Sequence, residues 1–241
     1  MGSKSRIVDS ILPIIQERLR NYDIKTYIEP FCGGCNVIDK VQCDIKIASD
    51  NHKYLIEMFK NIDKIQSLPD FITKDHYSDV RECFNNNLSI YPGWYIRAIG
   101  FLASYNGRFF DGGYAGIVYT KAGTERNYYD EAKRNLLQQI PLLKNIQFQC
   151  GDYEELYSNK TDCLFYCDIP YKDTKQYGSS KNFEYERFWN WADKMSERNI
   201  VLVSEHTAPL NWECIWQQEV KRTIDNTKRV KAIEKLFEIR E

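Results

Sequence analysis

The apolar residues near the start of the chain follow helical and strand-like spacing in turn. A first helix is predicted over residues 4–19, because apolar residues recur on one helical face: Ile7, Ile11, Ile14 and Ile15. Pro13 interrupts this pattern and predicts a break or kink. Residues 26–30 and 45–50 are short β-favouring runs and predict two strands. Residues 52–62 predict another helix, because their apolar residues again recur on one face.

A glycine-containing turn, Phe31-Cys-Gly-Gly-Cys-Asn36, follows the first predicted strand. We expect this turn to lead into a second helix, which then returns to the strand that ends in Asp50. The order of strand, glycine turn, helix, strand and acid is that of the first half of a Rossmann-like α/β unit.

The pattern changes between about residue 68 and residue 143, where helical stretches alternate with loops rich in Asn, Gly, Tyr and Arg. Afterwards, strand-like runs return at residues 146–150, 164–167 and 200–204, a helix is predicted over residues 185–197, and residues 213–224 and 232–239 predict a β-hairpin. We therefore expect an α/β domain, formed by residues 1–66 and 143–241, that is interrupted by a helical insertion over residues 67–142.

Composition adds few constraints to this picture. Hydrophobic residues make up 43% and charged residues 28% of the 241 positions, as in an ordinary globular domain. No apolar run approaches the roughly 18 residues of a membrane helix, and the first residues lack the apolar segment of a signal peptide. We therefore expect a cytoplasmic protein without membrane association. Its net charge of −1 gives no overall support for nucleic-acid binding, which must rest on local charge.

The pair Cys32 and Cys35 has the CxxC spacing of half a zinc site or of a redox pair. A structural zinc site usually needs a second ligand pair at similar spacing, and the sequence contains none. The two glycines between these cysteines offer another explanation, a backbone that turns tightly or approaches a ligand closely. We favour the turn and expect no metal site.

The strand-like run at residues 164–167 leads directly into Asp168, Ile169, Pro170 and Tyr171. A carboxylate, a backbone fixed by proline and an exposed ring at the carboxyl end of a buried strand are typical parts of a site. The alternative is an ordinary strand-to-loop turn in which Tyr171 covers the core. The glycine turn and Asp50 also fall at strand ends, and ligands of parallel sheets bind outside those ends.

These strand-end features favour an adenosyl ligand. Asp50 follows Gly33 by 17 residues, near the ~20-residue spacing at which an acid meets ribose hydroxyls. The glycine turn matches neither the GxGxxG of dinucleotide sites nor the GxxxxGK[ST] of P-loop hydrolases. S-adenosylmethionine is the remaining common adenosyl ligand of such a sheet, and we predict it as the cofactor.

Several motifs together resemble those of the DNA adenine methylase family (D12 class). Residues 29–36, Asp50 and residues 168–171 resemble its FxGxG, acidic and DPPY motifs. Residues 2–4, 104–108 and 221–237 resemble its N-terminal glycine-lysine motif, its DNA-contacting loop and its C-terminal hairpin. The similarity extends over nearly the whole chain, and several motifs in family order are more specific than any single one.

The resemblance implies a Rossmann-like class I methyltransferase that modifies N6 of a flipped-out adenine in double-stranded DNA. A monomer is one option for its assembly, and the sequence leaves the oligomeric state open. Residues 1–66 and 143–241 would be its catalytic, cofactor-binding domain, and residues 67–142 its target-recognition domain. The implied catalytic residues are Asp168, Ile169, Pro170 and Tyr171. The implied cofactor contacts are Lys4, Phe31, Gly33, Asp50, Tyr153 and Asp168. The implied DNA contacts are Tyr105, Asn106 and Arg108.

The resemblance also gives the tetrapeptide at residues 168–171 a chemical role. The exocyclic amine of adenine is a poor nucleophile, because its lone pair is delocalised into the ring. Two acceptors on its N–H groups, the Asp168 carboxylate and the Ile169 carbonyl, would direct the lone pair at the sulfonium methyl group. Tyr171 would stack on the base, which must leave the duplex to reach the site.

Three residues depart from the family pattern. Ile169 replaces the first proline of the DPPY motif, and Cys35 replaces the second glycine of the FxGxG motif. Phe110 stands where many family members have a DNA-reading arginine, whereas Arg108 lies two positions earlier. We therefore expect Arg108 to contact phosphates, or both phosphates and bases.

Alternative interpretations accompany several of these assignments. Tyr153 is either an aromatic contact to the cofactor adenine or a core residue, and Lys4 either binds the cofactor carboxylate or is an ordinary lysine at a helix start. Residues 104–116 are either a loop that enters DNA or a structural turn. For the whole protein, the alternatives are an N4-cytosine or RNA adenine methyltransferase, and a DNA-binding protein with a degenerate catalytic site.

Overall fold

The computed structural model describes residues 4–119, 123–172, 182–223 and 229–240. Within these residues the helices are α1 (Val8–Asn21), α2 (Lys53–Lys60), α3 (Lys74–Asn85), α4 (Gly93–Leu102), α5 (Tyr128–Leu143), α6 (Tyr153–Tyr157) and α7 (Tyr185–Ser196). Short 3₁₀ helices cover Lys4–Arg6, Ile62–Ser67 and Tyr105–Gly107. The strands are β1 (Thr26–Glu29), β2 (Ile45–Asp50), β3 (Ile117–Tyr119), β4 (Glu125–Asn127), β5 (Ile146–Cys150), β6 (Cys163–Asp168), β7 (Ile200–Ser204), β8 (Trp212–Thr223) and β9 (Arg229–Ile239).

Seven strands form one sheet in the order β5-β2-β1-β6-β7-β9-β8. The first five are parallel to their neighbours, and β9 joins antiparallel to both β7 and β8. The chain builds outward from β1 through β2 on one side and from β6 through β7 on the other, so the topological switch point lies between β1 and β6. This arrangement confirms the predicted Rossmann-like α/β class.

The centre of the sheet is apolar because helices cover it. The first five residues of β6 are fully buried, as expected for a strand with both faces packed. Helix α7 places one apolar face on this core through Phe188, Trp191 and Met195. The Trp191 ring meets Phe165 of β6 edge-on, with 5.7 Å between ring centroids. Packing therefore fixes the position of the carboxyl end of β6.

The described chain divides into two compact units. One covers residues 53–144 and contains α2 to α5 with the two-stranded sheet of β3 and β4. The other consists of the described residues of 3–52 and 145–241 and contains the seven-stranded sheet. The insertion predicted over residues 67–142 falls within the first unit. The two divisions differ over residues 53–66, and the predicted domain boundaries stay a prediction.

The prediction of a helix directly after the glycine turn is wrong, because residues 36–40 form turns. Val37, Ile38 and Val41 are β-branched residues with low helix propensity, and all three are buried. The N–H of Ile38 donates to the buried carboxylate of Glu29 rather than to a helical carbonyl. Tertiary contacts with β1 thus replace the local helix.

Two further elements differ from the sequence-based prediction. Helix α1 runs from Val8 to Asn21 with Pro13 inside it, so of the break or kink expected at the proline, the break does not occur. The insertion, in which no strand pattern was recognised, contains the short antiparallel pair of β3 and β4. The three residues of β3 are all exposed, so they lack the half-buried alternation that signals a strand.

Candidate active site

Three of the predicted features meet at the carboxyl edge of the sheet. Strand β1 pairs in parallel with β2 on one side and with β6 on the other. The glycine turn follows β1, Asp50 is the last residue of β2, and Asp168 is the last residue of β6. The fold therefore brings the turn and both carboxylates to the switch-point edge, where ligands of such sheets bind.

The glycine turn is held by Asp50. The N–H of Gly33 donates to Asp50 Oδ2 at 3.3 Å, and the N–H of His52 donates to Oδ1 at 2.9 Å. Burial raises the pKa of the Asp50 carboxyl, and these two N–H groups oppose that shift. Gly33 has a φ of 45°, and a Cβ at this position would meet no atom within 4 Å. The turn therefore borders open space in which a ligand can approach the backbone.

Cys35 keeps the backbone that the family motif gives to a glycine, since its φ is 56°. A non-glycine residue in this left-handed conformation costs roughly 1–2 kcal/mol. The Cys35 side chain is buried in the turn. Burial raises the pKa of Cys35, and the hydrogen bond with Cys35 raises that of Cys32, so neither thiol is activated. Among the described residues, no group of three or more His, Cys, Asp or Glu side chains is placed to hold a metal ion.

The tetrapeptide after β6 combines one accessible carboxylate with buried neighbours. The Asp168 side chain is 26% exposed, whereas Ile169 is 2% and Tyr171 is 7% exposed. Tyr185, at the start of α7, donates its hydroxyl to the Pro170 carbonyl at 2.8 Å. The prediction that the Tyr171 ring is exposed is therefore wrong, because the core and the side chains of Lys4 and Glu234 enclose the ring.

Lys4 links the N-terminal segment to the end of β6. Its Nζ lies 2.8 Å from Asp168 Oδ1, donates to the hydroxyl of Tyr171 at 2.5 Å and lies 3.5 Å from Glu234 Oε2. The same ammonium lies 4.4 Å from the centre of the Tyr171 ring, within cation–π range. Residues 2 and 3, which belong to the predicted glycine-lysine motif, lie outside the described residues. The partners of Lys4 are thus the tetrapeptide itself and a glutamate of β9.

Tyr171 remains a hydrogen-bond donor in this environment. Burial raises the pKa of its hydroxyl far above the usual value, and the charges of Asp168 and Glu234 raise it further. The hydroxyl donates to Glu234 Oε2 at 2.6 Å. Its ring and that of His206 form a T-shaped pair, with centroids 4.5 Å apart. The ring is therefore fixed from three directions.

Sequence reasoning missed Glu234, His206 and Tyr185 as parts of this site. One signal was available for Glu234: it stands two residues from Ala232 and two from Leu236 in a run read as a strand. Strand alternation places these three side chains on one face, so the pattern puts a carboxylate among apolar residues. Tyr185 and His206 carried no comparable signal, because their contacts depend on the tertiary fold.

Glu29, at the end of β1, is another buried carboxyl group that the sequence did not single out. It is 3% exposed and accepts a hydrogen bond from the hydroxyl of Tyr27 at 2.8 Å. Burial raises its pKa to about 8, and the nearby charge of Asp168 acts in the same direction. The edge of the sheet therefore holds a buried carboxyl group whose pKa lies well above its usual value.

Phe31 and Tyr153 belong to an aromatic cluster beside the glycine turn. Their ring centroids lie 5.3 Å apart, and Tyr153 also meets Trp191 edge-on at 4.9 Å. Tyr153 is 7% exposed, and burial raises its pKa to about 12. Arg187 lies over its ring, 5.3 Å from the centroid. Tyr153 is thus packed in the core, and its contact with the cofactor stays a prediction.

The predicted DNA contacts lie in the other unit. Tyr105 and Asn106 are exposed, Arg108 is half-buried, and Asn106 has a φ of 55°. A Cβ on Gly112 would lie 2.3 Å from the Tyr105 carbonyl, so only glycine permits this loop to close. Phe110, at the position of the family's reading arginine, is 4% exposed and packs against Phe84 and Tyr77. This position is part of the core and does not face solvent.

Comparison with known proteins assigns the site to a family. The model of the D12 class N6 adenine-specific DNA methyltransferase matches residues 1–201, which includes the glycine turn, Asp50 and the tetrapeptide. The chain belongs to this family. It is an adenine-specific DNA methyltransferase by membership, and the sheet is that of a class I methyltransferase. The matched range ends before the hairpin of β8 and β9, which carries Glu234.

Two relatives of this methyltransferase are type II methyltransferases. M.MjaIII of Methanocaldococcus jannaschii is 25% identical over 207 residues, which cover 76% of this chain and 71% of the relative. M.FokI of Planomicrobium okeanokoites is 24% identical over 223 residues, which cover 86% of this chain. The matched region spans only 33% of the length of M.FokI.

Two solved structures resemble the chain at low sequence identity. The rRNA methyltransferase aviRa from Streptomyces viridochromogenes has a TM-score of 0.43 and 10% identity, with 97% of this chain and 84% of that chain covered. A putative RNA methyltransferase, PH1948 from Pyrococcus horikoshii, has a TM-score of 0.44 and 10% identity over 96% and 81% of the two chains.

Membership in the methyltransferase family implies DNA as the substrate and S-adenosylmethionine as the methyl donor. In the part of the chain that the structure describes, no helix combines the length and the apolar character needed to cross a membrane.

Proposed function

We propose that the carboxyl edge formed by the glycine turn, Asp50 and residues 168–171 is the site of methyl transfer to N6 of a flipped-out adenine in duplex DNA. One observation supports this most strongly. Asp168 ends a buried parallel strand with its carboxylate partly exposed, beside a turn that borders open space. A charged acceptor in that position suits a reaction on an N–H group.

The residues present fit S-adenosylmethionine. Asp50 offers a carboxylate for the ribose hydroxyls, and the open space at Gly33 lets the cofactor lie against the backbone. Phe31 and Tyr153 would border its adenine, and Lys4 and Asp168 would lie near its amino-acid end. When bound, S-adenosylmethionine supplies an electrophilic methyl group on a sulfonium. The contributions of the chain are to hold, orient and accept hydrogen bonds.

Asp168 and Ile169 supply the two acceptors for the adenine amine. The carboxylate would accept one N–H, a charge-assisted hydrogen bond worth about 1.5–3 kcal/mol. The Ile169 carbonyl would accept the other, since a residue before proline is held extended. This backbone acceptor does not require the proline that Ile169 replaces. The buried Ile169 side chain and the Tyr185 hydrogen bond to Pro170 hold it in place.

Most of the acceleration would come from orientation rather than from acid–base chemistry. Holding amine and methyl group in line can contribute about 7–11 kcal/mol, provided that the acceptors do not move. The end of β6 is suited to this role, because Tyr171 is fixed by Lys4, Glu234 and His206. Stacking of Tyr171 on the base, worth about 1–3 kcal/mol by analogy with single-strand binders, would require Lys4 to move aside, because Lys4 lies 4.4 Å from the ring centre and the residue is 7% exposed.

The loop at Tyr105, Asn106 and Arg108 would contact the DNA. Tyr105 is 49% exposed, which suits a ring that enters the space left by a flipped base. Arg108 would contact phosphates or base edges. The buried Phe110 supports this assignment, because its side chain has no access to DNA at the position of the usual reading arginine.

Labelled methyl transfer tests the proposed function. The wild-type protein is incubated with methyl-labelled S-adenosylmethionine and unmethylated duplex DNA, single-stranded DNA or RNA in parallel, and the nucleosides are separated after digestion. We expect the label in N6-methyl-2′-deoxyadenosine from duplex DNA. Label in N4-methyl-2′-deoxycytidine, or in RNA only, would replace the proposed substrate. DNA binding without any label in nucleic acid would indicate a binding protein with a degenerate site.

A further inference from the structure

Glu234 is a buried carboxylate that the proposed chemistry does not use directly. It lies in β9, outside the range that the family model matches, and is 7% exposed. Its Oε2 accepts the Tyr171 hydroxyl at 2.6 Å and lies 3.5 Å from the ammonium of Lys4. Removing a carboxylate from water costs free energy, so a buried carboxylate beside the tetrapeptide indicates a functional or structural role.

The strand register explains how β9 reaches the site. Asp168 of β6 is level with Ser204 of β7, and Ser204 is level with Leu236 of β9. Because β9 runs antiparallel to β7, the residues before Leu236 extend beyond the carboxyl ends of the parallel strands. Glu234, two residues earlier and on the same face as Leu236, therefore lies level with the residues that follow Asp168.

The ammonium of Lys4 lies closer to the carboxylate of Asp168 than to that of Glu234. Two carboxylates contact one ammonium, with Lys4 Nζ 2.8 Å from Asp168 and 3.5 Å from Glu234. If the negative charge of Glu234 were lost, Lys4 would bind Asp168 more tightly. The tighter pair would occupy an acceptor lone pair and reduce the negative charge that the adenine amine needs.

We propose that Glu234 is a positioning residue for methyl transfer: its charge holds Lys4 and Tyr171 and keeps the Asp168 carboxylate available to the target amine. This inference rests on the proposed function of Asp168. It gives the C-terminal hairpin a direct part in the active site. A role in packing alone is the competing explanation, since the Glu234 side chain is buried.

Two substitutions separate charge from shape. Glu234→Gln keeps the length and an acceptor oxygen for Tyr171 but removes the charge, whereas Glu234→Asp keeps the charge and shortens the side chain. A matched control is Glu238→Gln, on the same face of the same strand, which removes the charge from a carboxylate paired with Arg18 at 2.9 Å. The rate of labelled methyl transfer to duplex DNA, the KM for DNA and the melting temperature are measured for each.

If Glu234 acts through charge, Glu234→Gln lowers kcat at least tenfold with little change in the KM for DNA, Glu234→Asp retains more activity, and Glu238→Gln stays within about twofold of wild type. Activity of Glu234→Gln equal to or above that of Glu234→Asp would overturn the proposal in favour of packing. So would loss of cooperative melting in both variants. An inactive wild-type protein would instead overturn the proposed function, and this inference with it.

Discussion

The end of β6 and the loop around Tyr105 each carry a tyrosine proposed to act at the target base, but the two tyrosines are held in different ways. Tyr171 is enclosed by groups from distant parts of the chain, at Lys4, His206 and Glu234. Tyr105 is held mainly by local backbone contacts: its N–H donates to Gly113 at 2.9 Å, and its carbonyl accepts from Arg108 at 3.3 Å. Tertiary contacts fix one region, and turn geometry shapes the other.

This difference matches the demands of the two proposed roles. A group that must hold a reacting atom in line gains from burial and from fixed charge partners, because small displacements cost rate. A loop that meets DNA gains from exposure, since its side chains must reach phosphates and base edges. Substitutions in the first region should therefore change the rate, and substitutions in the second should change DNA affinity.

The largest effect is expected for Asp168→Ala. Loss of the charged acceptor should lower the rate of methyl transfer by at least about 100-fold, as for other groups that stabilise a transition state electrostatically. The fold should persist, because the side chain is partly exposed. Single-turnover transfer of label and thermal melting measure the two effects. Asp162→Asn, at the exposed opposite end of β6, is the control, and asparagine suits its φ of 58°. Near-normal turnover in a folded Asp168→Ala would remove Asp168 from catalysis.

Asp50→Ala should affect cofactor binding rather than DNA binding. It removes the proposed contact to ribose hydroxyls and releases the N–H groups of Gly33 and His52. We expect S-adenosylmethionine to bind roughly 10- to 100-fold more weakly, in keeping with about 1.5–3 kcal/mol for a charged hydrogen bond. Isothermal calorimetry without DNA gives the affinity. Asp44→Ala, just before β2 and exposed, should bind as wild type does. Equal affinities for the two variants would place the ribose contact elsewhere.

Glu29→Gln tests whether the raised pKa of this buried carboxyl group makes the free energy of unfolding depend on pH. The pKa of Glu29 is raised to about 8, so between its unfolded value and pH 8 the folded state binds more protons than the unfolded state. The contribution of Glu29 to stability is therefore complete at low pH and falls as the pH rises. The free energy of unfolding of Glu29→Gln minus that of wild type should increase by about 1–3 kcal/mol from pH 5 to pH 8. Denaturant unfolding at both pH values measures this difference, and a constant difference would mean that Glu29 is ionised in the folded protein.

The smallest effect is expected for Arg108→Ala. As a phosphate contact it should weaken all duplexes alike, by about fivefold, and reduce the salt slope of binding by about one unit. Arg134→Ala removes an exposed arginine of the same unit that pairs with Asp130, and it should leave the slope unchanged. Fluorescence anisotropy over a salt series measures both. A loss of affinity confined to one base position would instead make Arg108 a base reader.

Much of the fold could be predicted from the sequence, because the signals are local. Strands β1, β2, β5, β6 and β7, helix α7 and the final hairpin lie close to their predicted ranges. The helix expected after the glycine turn failed because the buried Glu29 carboxylate, a tertiary partner, takes the N–H of Ile38. Strands β3 and β4 escaped recognition because β3 buries none of its residues.

Of the proposed site, only the residues that belong to the sequence motifs could be predicted. Asp50, Gly33 and Asp168 follow strands that the sequence identified, and parallel pairing brings them to one edge. The enclosure of Tyr171 was not predictable, since it depends on residues 4, 206 and 234, which lie far from Tyr171 in the sequence. Only the inward position of Glu234 had a signal in strand alternation.

The most direct test of this division compares Asp168→Ala and Arg108→Ala on one duplex, with single-turnover methyl transfer followed as DNA concentration rises to saturation. We predict that saturating DNA returns Arg108→Ala to within about threefold of the wild-type rate, since only affinity is lost. Asp168→Ala should stay at least about 100-fold slow at every DNA concentration, because the missing acceptor acts after binding. Recovery of Asp168→Ala at saturating DNA, or an equally persistent defect in Arg108→Ala, would contradict the account.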